Sequence, residues 1–451
     1  MIFLDKAPRA RQLLALYSDK KSHHTEAKHL FLVFADELQF EPRSDSHSNS
    51  CIKSCALLVI TMKSKTRTSF HTALDTFLAA VVPIEETEVT PIREARGRVL
   101  ARKIAAQRDE PSYRRAAMDG YAVLADDTSG ASAQSPVALK LGDSMRRGVA
   151  VRVHTGSKVP DQANSVVMLE DVERLEDVIE IRTQVRPFEN VYRRGEDVSR
   201  GDVIFTQGHE LRPADIGLLA ALEVDDVTVY RRPDVAIIPT GEELVEKAPA
   251  EGEVIETNAL MNALLVEQWG ACYRYRDIVS DERELIEAAL LRDVDADLIL
   301  TTGGTSVGIR DLVPEAVRKL GNLLVHGIAM SPAKPTALGL VNRTPIACLP
   351  GFPVACLVAS YAFAKPAISR LAHIERTFEL KMTGTLTSKI AGKPGSRTYA
   401  RVAIRNGRVE PIIASGSGIL SSMAKADGFL IIPENVDGYD QGQLVDVTPF
   451  D

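Results

Sequence analysis

Hydrophobic residues recur with a helical period near residue 70, in the first regular pattern of the chain. The apolar positions follow the spacing of one face of an α-helix, and they are Phe70, Ala73, Leu74, Phe77, Leu78 and Val81. Ser69 is placed to cap this helix and Pro83 to end it. A second helix is predicted to begin with Thr90 as its cap and Pro91 at its first helical position. These two helices predict a helical region that faces a partner chain.

Alternation of apolar and polar residues begins further along. Between residues 112 and 193 it recurs in 151–153, 166–169 and 178–182, with turn-forming residues between, which predicts a β-rich domain. The helical region therefore consists of residues 62–111 together with 194–230, a helical linker domain that the chain leaves and re-enters.

Strand and helix patterns alternate from 231 to 375. Such alternation is typical of parallel strands joined by right-handed crossovers, so a doubly wound α/β domain is expected. Asp281, followed by Glu284, is expected to cap the second helix. The predicted strands are Val235–Ile238, Tyr273–Val279, 298–302 and Ile346–Leu349, and the predicted helices are Asn258–Gln268, 282–292, 312–320 and Val354–Leu371.

The C-terminal residues 376–451 return to a strand pattern. Asn406-Gly407 lies between apolar segments and predicts a tight hairpin, and another strand is predicted at Phe429–Ile432. A small β-barrel or sandwich is expected here.

Residues 1–61 differ from the rest of the chain. They hold four of the nine histidines, the pair Cys51 and Cys55, and a tract rich in Ser. We expect a poorly ordered extension, or one created by the choice of start site, because Met62 stands just before the first regular element.

A chain beginning at Met62 is therefore expected to fold and associate like the full chain. Size-exclusion chromatography and thermal melting of the two chains would test this. Loss of solubility or of self-association on truncation would contradict it.

Composition narrows the class of protein. A chain of 451 residues is long enough for several domains. Lys and Arg number 54 against 61 Asp and Glu, a net charge of −7, which does not favour broad binding to nucleic acid or to a membrane surface. No apolar run approaches the roughly 20 residues of a membrane span.

The five cysteines predict a reducing, cytoplasmic location. Cys272, Cys348 and Cys356 stand in apolar surroundings and are expected to be buried thiols. Cys51 and Cys55 lack a second ligand pair at zinc-finger spacing, so a zinc site is not expected.

A glycine-rich loop, 303–311, follows the apolar strand 298–302 and ends at Asp311. Backbone N–H groups in such a loop can bind an anion, and glycine allows a ligand to approach the backbone. A plain tight turn is the alternative, because neither common nucleotide-binding fingerprint is present. However, 239–243 and 349–353 mark two other strand ends with Gly, Pro and acidic residues. Ligands of doubly wound domains bind beyond such ends, so a ligand is expected here.

Acidic residues supply the candidate chemistry. Glu243, Asp281 and Asp311 could bind Mg²⁺ beside a phosphate, because that ion takes a few carboxylates together with phosphate oxygens and water. Alternatively, Asp281 and Asp311 are helix caps. Two loops of the β-rich domain, 117–123 and 155–160, carry short acidic and hydroxyl residues that could equally be turn formers.

Seven motifs together resemble the molybdopterin molybdenumtransferase family, of the MoeA and gephyrin E-domain type. They occur in the family's order and spacing, and the likeness covers about residues 66–451. The motifs are Met118–Ala122, Thr155–Gly156 with Pro160 and Val166–Val167, Arg194–Asp197, Pro239–Leu244, Thr301–Gly308 with Asp311, Pro332–Pro335 and Leu349–Pro353.

The resemblance implies a fold and a reaction. The fold would be an elongated homodimer with a MogA-like α/β domain, and each site would lie between that domain of one subunit and the β-rich domain of the other. The reaction would insert molybdenum from molybdate into adenylylated molybdopterin, release AMP and require Mg²⁺, and a molybdoenzyme would be a downstream acceptor. Residues 62–111 with 194–230 would form the dimerisation domain.

The resemblance also implies roles for individual residues. The catalytic candidates are Asp119, Thr155, Asp197, Glu243, Asp281 and Asp311, of which the last three would hold the metal. The residues expected to bind the substrate are Thr302, Gly303, Gly304, Ser306, Gly308, Lys334, Pro350, Gly351 and Pro353.

The sequence departs from the family's pattern at several places. Gly327 and Ser331 replace two lysines, Arg114–Ala116 replaces an acidic and amide run, and Phe352 replaces an asparagine. Each lost charge-assisted contact to an oxyanion typically costs about 1.5–3 kcal/mol. The departures are consistent with drift within an active family, with a weakened paralogue that binds or carries molybdopterin, or with a structural dimer scaffold.

Overall fold

The computed structural model describes residues 67–304, 311–375, 380–412 and 418–450. The extension predicted for 1–61 and the predicted substrate-binding residues Ser306 and Gly308 lie outside these residues. The fold class is as expected: a β-rich domain, a doubly wound α/β domain and a small C-terminal barrel.

The N-terminal half of the described chain contains two helices and twelve short strands. These are α1 (Phe70–Ala80), α2 (Pro213–Ala221), β1 (Thr87–Pro91), β2 (Ile104–Ala105), β3 (Arg115–Ala116), β4 (Gly120–Val123), β5 (Val137–Leu141), β6 (Val149–Val153), β7 (Ser165–Met168), β8 (Val172–Leu175), β9 (Val178–Ile181), β10 (Val191–Tyr192), β11 (Val203–Phe205) and β12 (Asp226–Tyr230).

Helix α1 forms where the apolar period predicts it. The Ser69 hydroxyl accepts the Thr72 N–H at 3.2 Å and caps the helix. The buried face packs into the core of the α/β domain, where the rings of Phe70 and Phe363 lie 5.6 Å apart. The apolar period thus locates the helix correctly. The apolar face of the helix packs against residues of the same chain, although it was predicted to face a partner chain.

The second predicted helix is wrong. Residues Thr87–Pro91 form strand β1, paired antiparallel with β12, and only a 3₁₀ turn follows at Ile92–Glu94. The Ile92 N–H donates to the Asp225 carbonyl at 2.9 Å instead of continuing a helix. Ile92 and Ala95 are buried in the core even though they lie in a turn. The backbone of the preceding residues forms its hydrogen bonds with β12 rather than within a helix.

The β-rich domain is a six-stranded sheet in the order β7-β4-β6-β5-β9-β8. Only β5 and β6 pair in parallel. Short antiparallel pairs, β2 with β11 and β3 with β10, bring the segments before and after this sheet together. These pairs join the chain before the sheet to the chain after it, whereas the predicted domain boundaries stay a prediction.

The α/β domain follows from residue 234. Its strands are β13 (Asp234–Pro239), β14 (Leu244–Val245), β15 (Val254–Ile255), β16 (Cys272–Tyr275), β17 (Leu298–Thr302), β18 (Gly321–His326), β19 (Met330–Ser331), β20 (Ala337–Val341) and β21 (Thr344–Leu349), and its helices are α3 (Asn258–Gln268), α4 (Arg283–Arg292), α5 (Leu312–Leu320), α6 (Pro353–Ala359) and α7 (Lys365–Leu371).

The main sheet of this domain has the order β16-β13-β17-β21-β20-β18. The first four strands are parallel, which confirms the doubly wound prediction, whereas β20 and β18 are antiparallel. These two strands were not predicted. Strands β13, β17 and β21 are buried along nearly their whole length between helices on both faces.

A π-helical turn, Ser360–Ala364, joins α6 to α7, so that the three segments form one apolar helix without a break in the chain direction. The segment Pro353–Leu371 is long and apolar enough to cross a membrane, but 72% of it is buried within the protein. We interpret it as a core helix. Its buried Cys356, like Cys348, has a thiol pKa raised to about 12 by burial. The prediction of a third buried thiol is wrong, because Cys272 is exposed.

The C-terminal domain contains β22 (Met382–Leu386), β23 (Ile390–Ala391), β24 (Arg397–Arg405), β25 (Arg408–Pro411), β26 (Gly428–Ile432), β27 (Gly438–Tyr439), β28 (Leu444–Pro449) and α8 (Ser421–Ala424). Five strands close into a barrel, β24-β25-β22-β28-β26 and back to β24. The predicted hairpin is confirmed, since Asn406 and Gly407 both adopt positive φ between β24 and β25.

Asp215 fixes the start of helix α2. Its buried carboxylate accepts the Arg212 N–H at 2.8 Å and contacts the Arg212 guanidinium at 3.0 Å and His209 Nε2 at 2.9 Å. Burial alone would raise the pKa of Asp215, but these hydrogen bonds outweigh burial and hold the pKa well below its usual range.

Asp215→Asn is therefore expected to destabilise the protein by about 1.5–3 kcal/mol at pH 7, because the buried carboxylate loses its charge-assisted hydrogen bonds to the exposed Arg212 and the half-buried His209. The stabilisation by a carboxylate with a lowered pKa is complete above the unfolded pKa of about 4 and is lost as the pH falls below it. The difference in melting temperature between the wild type and Asp215→Asn should thus be constant from about pH 7 to 5 and shrink towards about pH 3.5. The exposed Asp226→Asn serves as control, and a gap that widens on acidification would contradict the assignment.

Candidate ligand site at the carboxyl edge of the parallel sheet

Three marked strand ends meet at one edge of the sheet. In the register of the neighbouring strands, Pro239 of β13 stands beside Thr302 of β17, which stands beside Leu349 of β21. The Thr240 N–H donates to the Thr302 carbonyl at 3.0 Å, and the Gly303 N–H donates to the Leu349 carbonyl at 3.0 Å. The prediction that these loops share an edge is confirmed.

Glycine is required where the loops approach each other. Gly303 has φ +105°, and a Cβ there would lie 2.2 Å from the Thr240 carbonyl oxygen. Gly304 has φ +63°, and its Cβ would lie 2.5 Å from a methyl carbon of Val313. A Cβ on Gly351 would be 3.5 Å from the Gly303 Cα. Three of the predicted substrate-binding glycines are therefore neighbours, and the first two admit no side chain.

Buried polar atoms surround these glycines without hydrogen-bond partners among the described residues. They include the hydroxyls of Thr240 and Thr302 and the Oδ1 atom of Asp311. Buried polar groups in native proteins are nearly always paired, and an unpaired one calls for a ligand, water or ion. The Thr240 hydroxyl lies closest to the loop, 3.1 Å and 2.9 Å from the positions that Cβ atoms would take on Gly303 and Gly304.

Asp311 occupies the N-cap position of α5, but its side chain makes no capping hydrogen bond. The side chain is 18% exposed, and Oδ2 lies 3.3 Å from His326 Nε2. The alternative that Asp311 serves only as a cap is therefore not supported. Its carboxylate is held at the sheet edge with one oxygen still available to accept a hydrogen bond.

The other two predicted metal ligands lie differently. The N-cap of α4 is Glu282, so Asp281 precedes the cap and the predicted capping role is wrong. Asp281 is half-buried, whereas Glu243 is exposed. Within the part of the chain that the structure describes, no three His, Cys, Asp or Glu residues group in a way that could hold a metal ion. Asp281 and Glu243 thus do not form a three-ligand cluster with Asp311.

A second set of predicted site residues lies in the β-rich domain. The Thr155 N–H donates to Asp119 Oδ1 at 2.7 Å and the Thr155 hydroxyl donates to the same oxygen at 3.2 Å. The bond from the Thr155 backbone lowers the pKa of Asp119, and the nearby His154 and Arg152 act in the same direction. Asp119 is consequently an exposed, fully ionised carboxylate held in a fixed position.

Asp197 is exposed, and its backbone N–H donates to the Glu110 carbonyl at 3.1 Å. No hydrogen bond or ion pair found between described residues links Asp119, Thr155 or Asp197 to the loops at the sheet edge. The structure therefore brings the predicted site residues together in two groups rather than one.

Lys334 is half-buried, Pro350 is buried, and Pro353 opens helix α6. Gly327, which stands at one of the lysine positions of the family, has φ +82° with open space around it. Backbone of this kind favours glycine over lysine. The second replacement, Ser331, lies in β19, which pairs with β24 of the barrel.

The two arginines before Met118 cannot substitute for those lysines. Arg114 donates to the Ala163 carbonyl at 2.8 Å and the Pro160 carbonyl at 3.3 Å, and Arg115 pairs with Glu110 at 3.4 Å. Both side chains thus fix the loops of the β-rich domain.

Three site-edge residues were missed from the sequence: Thr240, as a hydroxyl donor, Asn258 and His326. Asn258 begins α3, and its Nδ2 donates to the Gly351 carbonyl at 2.6 Å. No spacing rule identifies such a residue, because Asn258 and Gly351 lie 93 positions apart.

Comparison with known proteins covers most of the chain. Three family profiles match: the MoeA N-terminal region (domain I and II) over residues 68–222, a probable molybdopterin binding domain over 236–370, and the MoeA C-terminal region (domain IV) over 383–450.

Individual relatives agree with these profiles. A putative molybdopterin biosynthesis protein of Methanocaldococcus jannaschii is 40% identical, over 79% of this chain and 90% of its own. Molybdopterin molybdenumtransferase 2 of Mycobacterium tuberculosis is 34% identical, over 77% and 91%. The crystal structure of a molybdopterin biosynthesis moeA protein from Pyrococcus horikoshii matches with a TM-score of 0.76 and 32% identity, over 85% of this chain and 100% of that one.

Proposed function

Because this chain belongs to the MoeA family, we propose that it is a molybdopterin molybdenumtransferase, an enzyme of molybdenum cofactor biosynthesis that inserts molybdenum from molybdate into adenylylated molybdopterin and releases AMP. The observation that carries the proposal is the glycine loop at Gly303 and Gly304, flanked by buried, unpaired hydroxyl and carboxylate oxygens. Such an edge would suit a polar ligand that carries phosphate groups.

The arrangement suits cleavage of a phosphoric anhydride. Departure of AMP leaves negative charge on phosphate oxygens, and catalysis requires donors already aimed at that charge. The backbone N–H of Gly304 and the hydroxyls of Thr240 and Thr302 would supply neutral donors, since the Gly303 N–H is already bonded to the Leu349 carbonyl. Lys334 would supply positive charge, and Pro350, Gly351 and Pro353 would shape the wall on the side of helix α6.

A divalent cation would find one well-placed carboxylate at this site, that of Asp311, among the described residues. Mg²⁺ commonly binds through one or two carboxylates together with substrate phosphates and water. Asp311, with its unpaired Oδ1, would be the principal protein ligand, and Asp281 and Glu243 would act through water. When bound, the ion would neutralise charge on the phosphates.

AMP release is consequently expected to stop when EDTA removes divalent ions and to return when Mg²⁺ is added in excess. A coupled AMP assay follows this directly. Undiminished turnover in EDTA would contradict the requirement for a metal.

The direct test of function incubates the purified protein with adenylylated molybdopterin, molybdate and Mg²⁺. We expect molybdate-dependent release of AMP together with molybdenum bound to the pterin product. Tight pterin binding without any AMP release would contradict the proposal and would favour a carrier. We interpret Gly327 and Ser331 as replacements that leave the enzyme active. Gly327→Lys and Ser331→Lys should therefore change the rate of AMP release, whereas the unmodified protein should already turn over.

We further propose that the site is shared between two subunits. Asp119 and Thr155 form one group and the sheet edge forms another, with Asp197 bound to neither among the described residues, so a homodimer would let each subunit complete the site of its partner. The protein is expected to act in the cytoplasm and to pass its product to a molybdoenzyme acceptor.

Mixing two impaired variants tests the shared site. Asp119→Ala and Asp311→Ala homodimers should each retain at most about a tenth of the wild-type AMP release. A subunit mixture refolded or exchanged together should recover about a quarter of the wild-type activity, because half of the dimers hold one intact site. Recovery should not occur in a mixture of Asp119→Ala with Thr155→Ala, whose changes fall in the same half-site. Failure of the first mixture, with subunit exchange verified, would place the whole site within one chain.

A further inference from the structure

Asn258 offers an acceptor that the described structure leaves unused. Asn258 is only 9% exposed, and its Nδ2 donates to the Gly351 carbonyl at 2.6 Å. Oδ1 is buried and has no hydrogen-bond partner among the described residues. Because both atoms belong to one amide group, Oδ1 lies beside the same loop and awaits an N–H or O–H donor.

Phe352 stands next to that loop and is unusually exposed for its size. It is the N-cap residue of α6, makes no capping hydrogen bond, and is 64% exposed. Its ring lies near the barrel, since a Cβ on Gly418 would be 3.6 Å from the Phe352 Cδ1. An aromatic face presented to solvent beside a ligand site can stack on a flat ring.

The phosphate loop adjoins both residues. A Cβ on Gly351 would lie 3.5 Å from the Gly303 Cα, so the segment that carries Phe352 and binds Asn258 touches the glycine loop. An aromatic face, an unpaired acceptor and the backbone of Gly303 are thus contiguous. A ligand that combines a phosphate with a flat, nitrogen-containing ring matches all three.

We propose that Phe352 and Asn258 form a subsite for a fused nitrogen heterocycle of the substrate, which stacks on Phe352 and donates an N–H to Asn258 Oδ1. The inference rests on the proposed function, whose substrate carries two such rings, pterin and adenine, each with an amino group. Phe352 then supplies a stacking surface that a small polar side chain at the same place would lack.

The stacking half is tested by binding of two simple probes, pterin-6-carboxylate and AMP, to the full-length protein. Phe352→Ala is expected to weaken binding of one probe by about tenfold, while Phe352→Tyr keeps it. Tyr273→Ala removes another exposed aromatic side chain of the same domain and should change nothing. The probe that responds identifies which ring occupies the subsite.

The hydrogen-bond half is tested with ligand pairs that differ at the carbon bearing the amino group, where the amine is replaced by an oxo group in one pair and by hydrogen in the other. These are pterin-6-carboxylate with lumazine-6-carboxylate, and AMP with the purine ribonucleotide that lacks the amine. Wild type should prefer the amino member of one pair by about two- to tenfold, and Asn258→Ala should abolish that preference. A merely structural role for Asn258 would weaken both members equally, so the ratio separates recognition from loop damage.

AMP release from the adenylylated substrate is measured in parallel. If wild type turns over but shows no amino preference in either pair, or if Phe352→Ala binds both probes normally, the subsite is refuted and the proposed function stands. If wild type neither turns over nor binds either ring, the proposed function and the subsite are refuted together.

Discussion

Gly303→Ala is expected to lower the melting temperature by at least about 5 °C and to abolish substrate binding. Its φ of +105° alone costs an alanine about 1–3 kcal/mol. In addition, the new Cβ would stand 2.2 Å from the Thr240 carbonyl oxygen, a backbone atom that hydrogen-bonded strands hold in place. The strand ends must therefore separate, and with them the walls of the site.

Gly252→Ala is a matched control for this effect. Gly252 has φ +96°, but nothing lies within 4 Å of the Cβ position. This variant carries the backbone strain without the collision, so it should lose only a few degrees and retain AMP release. Equal losses in the two variants would show that strain, rather than the close approach of the loops, makes Gly303 necessary.

Asp311→Ala is expected to reduce AMP release by about 10- to 150-fold, the effect of losing one charge-assisted contact of about 1.5–3 kcal/mol. The melting temperature should stay the same or rise, because the wild-type structure keeps a buried carboxylate oxygen without a described partner. Lower activity with undiminished stability is typical of a residue retained for catalysis rather than folding.

Two further variants sharpen this result. Asp311→Asn preserves shape and removes charge, so it should lose nearly as much activity as alanine. Glu315→Ala removes a carboxylate from the first turn of the same helix, where it pairs with Arg283 at the surface, and should leave AMP release unchanged. Wild-type turnover by Asp311→Ala would remove this residue from the proposed site.

The sequence predicted the α/β domain well because its central strands are continuous apolar runs. Strands buried on both faces need such runs, and the helices between them carry their own period, so local pattern and tertiary environment agree. The strand Val235–Ile238 and the helix Asn258–Gln268 were placed within a residue or two. The glycine motif could be located for the same reason, since it follows a strand whose end was already known.

Local pattern failed where pairing with a distant segment decides the structure. Thr90 and Pro91 are typical residues for a helix start, yet they form a strand because they pair with the distant strand β12. Strands β18 and β20 are antiparallel additions to a parallel sheet, and nothing local to either segment specifies that order. Register and strand order depend on which residues meet across the chain, information that a periodicity does not contain.

By itself, the sequence determined the fold class, the closeness of Gly303, Gly304 and Asp311 along the chain, and the acidic and hydroxyl residues available for chemistry. Only the tertiary structure decided that Thr240 and Gly351 lie against Gly303, that Asn258 binds Gly351, and that Asp311 belongs to no metal-binding group of three such residues within the described part of the chain. The physical reason is that composition and spacing fix which groups exist, whereas burial and unsatisfied hydrogen bonds arise only when distant segments pack together.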